Sequence, residues 1–133
     1  MANQSSTGLR NAMVTAMATA LANGRIDIYS GAAPASADDA PTGTLLVRVT
    51  KNGDGTGLSM PGAPVGGLIR KPVSDVWRGT VLATGTAGYY RYVTTADSSN
   101  PSLTDCRMQG TVGEINAELI LSNTNLVSGA SQD

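Results

Sequence analysis

The chain contains no histidine and one cysteine, Cys106, among its 133 residues. Without histidine, neither a Ser-His-Asp triad nor a Cys-His pair can be assembled, and ordinary zinc sites lack ligands. A single cysteine cannot form an intramolecular disulfide, which indicates folding in a reducing cytoplasm. We therefore expect no enzymatic activity, no cofactor and no metal. Cys106 alternates with Met108 and Gly110 and is predicted to be a core residue rather than a nucleophile.

Aromatic residues, charges and long apolar runs are also scarce. The chain has no Phe, one Trp and four Tyr, and its formal net charge is −1. The densest basic spot is Arg70–Lys71, which argues against a nucleic-acid partner. No stretch approaches the roughly 20 apolar residues of a membrane span. Thr15 and Thr19 interrupt the Ala-rich N-terminus, so we expect no secretion signal. We expect neither nucleic acid, membrane nor a small-molecule substrate as partner.

One segment near the N-terminus has helical periodicity. The helix is predicted from about Ser6 to Ala22, with a cap at residues 5–7 and an end at Asn23–Gly24, where glycine takes the left-handed conformation. Its apolar stripe repeats every four residues, at Leu9, Met13, Met17 and Leu21. Such a helix either lies on the edge of a β-domain or forms an arm that packs on a neighbouring subunit.

After the helix the apolar pattern changes to period two, which is typical of strands. In "RIDIYS", Ile26 and Ile28 share one face, and Asp27 and Tyr29 share the other. In "TLLVRV" the same alternation places Leu45, Val47 and Val49 on one face and Leu46 and Arg48 on the other.

Two further strand pairs are predicted in the second half. "DVWRGTVLAT" and "YYRYVTT" are joined by Gly85–Gly88, which predicts a hairpin with Arg91 on an exposed face. "CRMQGTV" and "EINAELIL" predict a final pair joined near Gly113, with Glu114 and Glu118 on a solvated strand face. The polar tail from residue 122 is predicted to be irregular.

These elements predict a mainly β fold, a small antiparallel β-sandwich or jelly roll with one N-terminal helix. The helix or arm occupies residues 1–24 and the β-sandwich domain residues 25–133. Asn52 and Asp54 alternate with glycine as calcium ligands can, but the acidic residue that closes an EF-hand loop is missing. A plain turn is therefore the preferred interpretation.

The segment "IDIYSGAAPASADDAPTGTLL" resembles small virion proteins of tailed bacteriophages, in which a short helix precedes this pattern and a β-rich half follows it. "WRGTVLATGTAGYYRYV" and "RMQGTVG" resemble the second half of those proteins, so the likeness covers most of the chain. The residues that match the first pattern are Ile26, Ile28, Tyr29, Gly31, Pro34, Ala37, Ala40, Thr42, Gly43, Thr44, Leu45 and Leu46.

The resemblance implies a structural protein of the virion more firmly than a place in the particle, and our first hypothesis for that place is a capsid cement or decoration protein. Its partners would be the major capsid protein and copies of itself, for example in a trimer. It would lie on the capsid surface of a particle assembled in the host cytoplasm. Two alternatives remain: a tail, neck or baseplate component, and a carbohydrate-binding β-sandwich. The latter would stack sugars on Trp77 or on Tyr89, Tyr90 and Tyr92.

Two Pro-, Ala- and Gly-rich segments are the predicted subunit contacts. Such segments lose little side-chain entropy when they become ordered against a neighbour. We expect Gly31–Gly43 to be protected in the particle and mobile in the isolated subunit, the alternative being a flexible surface loop. The predicted contact residues are Gly31, Pro34, Ala37, Pro41, Gly43, Met60, Pro61 and Pro64.

Overall fold

A computed structural model describes residues 2–133, and Met1 of the predicted arm lies outside them. One helix precedes eight strands, which confirms the prediction of a mainly β domain with one N-terminal helix. The elements are α1 (Thr7–Ala20), β1 (Gly24–Ser30), β2 (Leu45–Lys51), β3 (Trp77–Thr80), β4 (Gly85–Thr94), β5 (Arg107–Gly113), β6 (Leu119–Ile120), β7 (Asn125–Leu126) and β8 (Ser131–Gln132).

The strands form one mixed sheet that curls into a half-barrel. Their order is β6-β5-β4-β1-β2-β3-β8, and β7 pairs with the first two residues of β4. All pairs are antiparallel except β5 and β6. The two longest pairings join β4 to the central strand β1 and to β5. A core of aliphatic and tyrosine side chains is centred on Ile28, Leu46, Val47, Leu58 and Tyr92.

Helix α1 begins as predicted but ends earlier. The hydroxyl of Ser6 accepts a hydrogen bond from the N–H of Leu9 at 3.1 Å, as an N-cap should. The helix stops at Ala20, and the left-handed residue after it is Asn23, with φ 55°. Gly24 is instead the first residue of β1, where a Cβ atom would lie 2.5 Å from the Tyr92 ring. Close packing, rather than a helix cap, explains this glycine.

The predicted hairpin between "DVWRGTVLAT" and "YYRYVTT" is wrong. Strand β3 pairs with β2 and β8, while β4 pairs with β1, β5 and β7, and residues 85–88 lie inside β4. Neither Gly85 nor Gly88 has a positive φ. A Cβ on Gly88 would collide with the carbonyl oxygen of Gly31, and one on Gly85 would lie 2.9 Å from Leu46. These glycines permit close packing rather than a turn.

The last predicted strand pair is also different in the structure. Only Leu119–Ile120 of "EINAELIL" is a strand, and it runs parallel to β5. Glu114 and Glu118 are exposed as predicted, but neither lies in a strand. Glu118 accepts hydrogen bonds from the N–H and the hydroxyl of Thr111, and Glu114 accepts from Thr124. The tail is less irregular than predicted, because it contributes β7 and β8.

A β-bulge breaks the predicted alternation in β2. Ile28 is opposite Val47, but Tyr29 is opposite Leu45, so Leu46 is an extra residue. Leu46 and Val47 are both buried in the core, whereas the sequence pattern placed them on opposite faces. A bulge allows consecutive side chains to enter the same core because it interrupts the two-residue period.

Candidate interaction surfaces

Residues 31–43, here called the strap, link β1 to β2 and lie against side chains of β4 and β5. The hydroxyl of Tyr89 donates to the carbonyl of Thr42 at 2.5 Å and accepts from its N–H at 2.8 Å. Gln109 donates to the carbonyl of Pro34 at 2.9 Å. The strap thus has hydrogen-bond partners within its own subunit, although its composition of small residues predicted a segment that is mobile in the isolated subunit. Its protection within a particle stays a prediction.

The eight predicted contact residues fall into two groups. Of the five in the strap, Pro34 and Ala37 accept hydrogen bonds from Gln109 and Arg107 of β5. The other three, in segment 60–64, face Thr15 and Thr19 of α1 across an open depression of about 590 Å³. Exposed members are Gly31, Gly43 and Pro61, and half-buried members are Pro34, Ala37, Pro41, Met60 and Pro64.

A buried ion pair lies beneath the strap. Arg107 contacts Asp97 through Nε–Oδ2 at 2.6 Å and Nη2–Oδ1 at 3.1 Å, and each side chain is 2% exposed. The same guanidinium donates to the carbonyls of Ala37 at 3.2 Å and Asn100 at 2.7 Å, and it reaches Asp105 at 3.2 Å. One side chain therefore joins β5, the strap and the loop between β4 and β5.

A second carboxylate on this face is enclosed by arginines. Asp27 is 1% exposed and accepts from Arg25 at 3.0 Å and from Arg48 at 3.2 Å. Arg91, which the sequence placed on an exposed face, is buried because the strap covers it. Its guanidinium donates to Gln109 at 3.0 Å and, more weakly, to a strap carbonyl at 3.4 Å. The outer face of the central strands is thus a buried polar layer.

The electrostatics of this layer favour a structural role. Burial alone would raise the pKa of Asp97, but hydrogen bonds from Arg107 and from the N–H of Ser99, with the nearby positive charges, lower it overall. The pKa of Tyr29 is raised, first by burial and then by the charge of Asp27. The first group is ionised and the second protonated at neutral pH. Neither is poised for proton transfer there.

The sequence analysis missed this ionic layer. A signal existed in the first strand, where Arg25 and Asp27 stand two residues apart and so share a face with Tyr29. Opposite charges on one face of a central strand suggest an internal pair. The partners Asp97 and Arg107 could not be found this way, because they come from the loop after β4 and from β5, far along the chain.

The inner side of the curl contains an apolar groove of about 390 Å³. Ile26 and Ile28 share it, as their alternation predicted, and Trp77 lines one wall. The indole N–H of Trp77 and the hydroxyl of Tyr92 are buried without a hydrogen-bond partner among residues 2–133. Lys71 is among the few charged residues that line the groove. The groove could hold an apolar side chain.

The tyrosines proposed as a sugar-stacking platform do not form an exposed surface. Tyr89, Tyr90 and Tyr92 are all buried, and Tyr89 stacks on Tyr29 with ring centroids 5.1 Å apart. Trp77 is half-buried in the groove. Sugar stacking needs an accessible ring face, which the three tyrosines do not offer.

The turn with Asn52 and Asp54, considered above as a calcium site, is stabilised by its own hydrogen bonds. Asp54 accepts a hydrogen bond from the N–H of Thr56 at 2.8 Å, and the bonds from Thr56 lower the pKa of Asp54. Within residues 2–133, no three His, Cys, Asp or Glu side chains are grouped so as to hold a metal ion. Cys106 is exposed, so the prediction of a core cysteine is wrong. It lies just before β5, where the alternation has not yet begun.

The apolar stripe of α1 is covered at one end only. Leu21 is buried and Met17 packs against the core, but Leu9 and Met13 are each 52% exposed. The first half of the helix therefore extends beyond the core with its stripe uncovered. Other exposed apolar side chains follow in the segment between β2 and β3: Val65, Leu68, Val73 and Val76.

Comparison with protein-family models, curated proteins and solved structures finds no match to this chain. Among the described residues, no helix has both the length and the apolar character needed to cross a bilayer. The features that bear on function are therefore the buried polar layer under the strap, the apolar groove and the uncovered apolar side chains.

Proposed function

We propose that the chain is a structural protein of a bacteriophage head, a cement protein that stabilises the shell through contacts with the major capsid protein and with its own copies. The observation that carries this proposal is the uncovered apolar stripe of α1, at Leu9 and Met13. Soluble monomers rarely expose clustered apolar side chains, so such a cluster marks a site of contact with another protein.

Segment 58–76 supports the same proposal. Val73 is fully exposed and Val65 is 79% exposed, although both could be replaced by polar residues without loss of any core contact. The segment touches the helix, since the N–H of Gly67 donates to Asn11 at 2.7 Å. Helix and segment are thus in contact, and both carry exposed apolar side chains, which suits lateral contact with a neighbour.

The strap suits a rigid building block rather than a flexible arm. Its backbone is bonded to its own subunit, and its outward side carries small residues such as Ala33 and Ala35. Small side chains allow close approach of a second surface without entropy loss from long side chains. An interface near 800 Å² per partner is enough for a specific contact.

Variants of the helix test the proposal in particles. Leu9→Gln with Met13→Gln should leave the subunit folded, because neither side chain is buried, yet reduce the amount of protein retained on purified virions. Gly8→Gln and Ala12→Gln, also at exposed positions of α1 and outside the depression that Thr15 lines, are the matched control and should be retained. Equal retention of both variants would contradict the assignment of the contact to this stripe.

The copy number in the virion distinguishes a cement protein from a tail, neck or baseplate component. A cement protein is expected in hundreds of copies, and particles that lack it should assemble but burst at lower temperature. Quantitative mass spectrometry of purified virions gives the number directly. A ring-like stoichiometry, far below that of the capsid protein, would move the chain to the tail or neck.

A further inference from the structure

The chain contains two Asn-Gly pairs, and the structure places them in contrasting environments. Asn23–Gly24 links α1 to β1, and Asn52–Gly53 forms the turn after β2. We propose that Asn52 is a site of spontaneous amide loss in the folded protein, whereas the fold protects Asn23. Asparagine is among the thermolabile residues of proteins, and a following glycine leaves its backbone nitrogen sterically open.

The chemical step needs only water. The backbone nitrogen of Gly53, after loss of its proton to solvent, attacks Cγ of Asn52, and a new N–Cγ bond closes a five-membered imide. The Cγ–Nδ2 bond breaks, and the amide nitrogen leaves as ammonia with a proton from solvent. Water then opens the ring at either carbonyl to give aspartate or isoaspartate. One water is consumed and one ammonia released, with no oxidation or reduction.

The turn at Asn52 leaves the reacting groups accessible. Asn52 and Gly53 are both exposed and both have positive φ, 58° and 71°. The attacking N–H of Gly53 makes only a long hydrogen bond, 3.4 Å to the carbonyl of Thr50. No hydrogen bond within residues 2–133 holds the Asn52 side-chain amide. The amide can therefore rotate toward the nitrogen without breaking a strong contact.

The second pair is held at both reacting groups. The N–H of Gly24 donates to the carbonyl of Leu58 at 2.9 Å, and Gly24 is buried. The amide of Asn23 donates to the hydroxyl of Thr95 at 3.0 Å. Ring closure at Asn23 would break both bonds within packed surroundings, so it requires local opening of the fold.

Reaction at Asn52 would alter the turn after β2, which borders the apolar groove. The backbone N–H of Asn52 donates to the carbonyl of Val76 at 2.7 Å, and Lys51 pairs with Asp75 at 3.1 Å. Asp75 and Val76 both line the groove. A new carboxylate, and a longer backbone in the isoaspartate form, would thus arise where the turn is tied to the groove wall.

The test follows amide loss at each asparagine by peptide mass spectrometry during incubation of the purified protein at mildly alkaline pH, with digestion at acidic pH. In the folded protein, conversion at Asn52 should be at least about tenfold faster than at Asn23. In denaturant the two should convert at similar rates. Asn52→Gly, which keeps a left-handed position accessible, should abolish the intact-mass change of the folded protein.

Two outcomes would overturn the proposal. Similar conversion at Asn23 and Asn52 in the folded protein would show that the fold gives no selectivity. An Asn52 that reacts in denaturant but stays intact in the folded chain would show that the turn protects it. Circular dichroism of Asn52→Gly checks that the variant is folded, so that loss of the mass change reports the site itself.

Discussion

Removal of the Arg107 guanidinium should destabilise the domain more than removal of any exposed cation. Arg107→Met keeps much of the side-chain length but leaves Asp97, 2% exposed, without its bidentate partner. Breaking a buried pair by removing one member costs about 3–5 kcal/mol, because the remaining charge stays buried. The carbonyls of Ala37 and Asn100 lose a donor as well. The total is a large part of a domain stability of about 5–15 kcal/mol.

Urea unfolding at neutral pH measures this loss. With a slope of about 2 kcal/mol per molar, a loss of about 4 kcal/mol lowers the midpoint by about 2 M. Arg78→Met is the matched control, because Arg78 forms an ion pair with Asp133 in which both side chains are about half exposed. An exposed pair contributes about 0–1 kcal/mol, so this midpoint should shift by less than about 0.5 M.

The slope must stay unchanged if both states keep their compactness. A midpoint for Arg107→Met that shifts no more than that of Arg78→Met would refute the reasoning. It would mean that water or a rearranged loop solvates Asp97 once the arginine is gone, so that the pair is not energetically buried. The double variant Arg107→Met with Asp97→Leu should recover part of the loss, since it removes the stranded charge.

Three further results are expected. The pKa of Asp97 is lower in the folded than in the unfolded protein. The ionised Asp97 therefore stabilises the fold fully above its unfolded pKa of about 3.9, and this contribution is lost as the pH falls through the folded pKa. The destabilisation by Arg107→Met should consequently be smaller near pH 3 than at pH 7. Tyr89→Phe removes both hydrogen bonds to Thr42, so limited proteolysis should cut the strap faster, with a stability loss of about 1–3 kcal/mol in thermal unfolding; unchanged cleavage would show that these bonds do not hold the strap. Gly88→Ala should lower the melting temperature sharply through collision with the strap backbone, and a near-native value would count against the close packing described for β4.

The sequence predicted helices and strands better than it predicted which strands and side chains contact one another. The cap at Ser6 and the shared face of Ile26 and Ile28 depend on residues a few positions apart, and both occur in the structure. The hairpin assignment failed because Gly85 and Gly88 look like turn residues, whereas their lack of a side chain serves contacts with Gly31 and Leu46. Such contacts join distant parts of the chain and leave no local signal.

The candidate site shows the same division. The apolar stripe of α1 was visible in the sequence, but which part of it is uncovered depends on where the core ends. Arg91 was placed in solvent because charged residues on strands usually face water. The strap covers it, and no periodicity in the strap reveals that its carbonyls point toward the sheet. The predicted contact residues Gly31 and Pro61 are exposed, whereas Pro34 is half-buried over Gln109.

The strand order has a consequence for how the chain folds. The central strand β1 is made early, yet one of its two partners, β4, comes from the second half of the chain, and the edge strand β8 is the last to be synthesised. Proteins dominated by such distant pairings fold slowly, because loop-closure entropy is lost before contacts form. Before β4 pairs with β1, the strands β1 and β2 form a two-stranded hairpin, which is marginally stable alone. We therefore expect this small domain to refold over milliseconds to seconds, and to be prone to aggregation while β1 lacks β4.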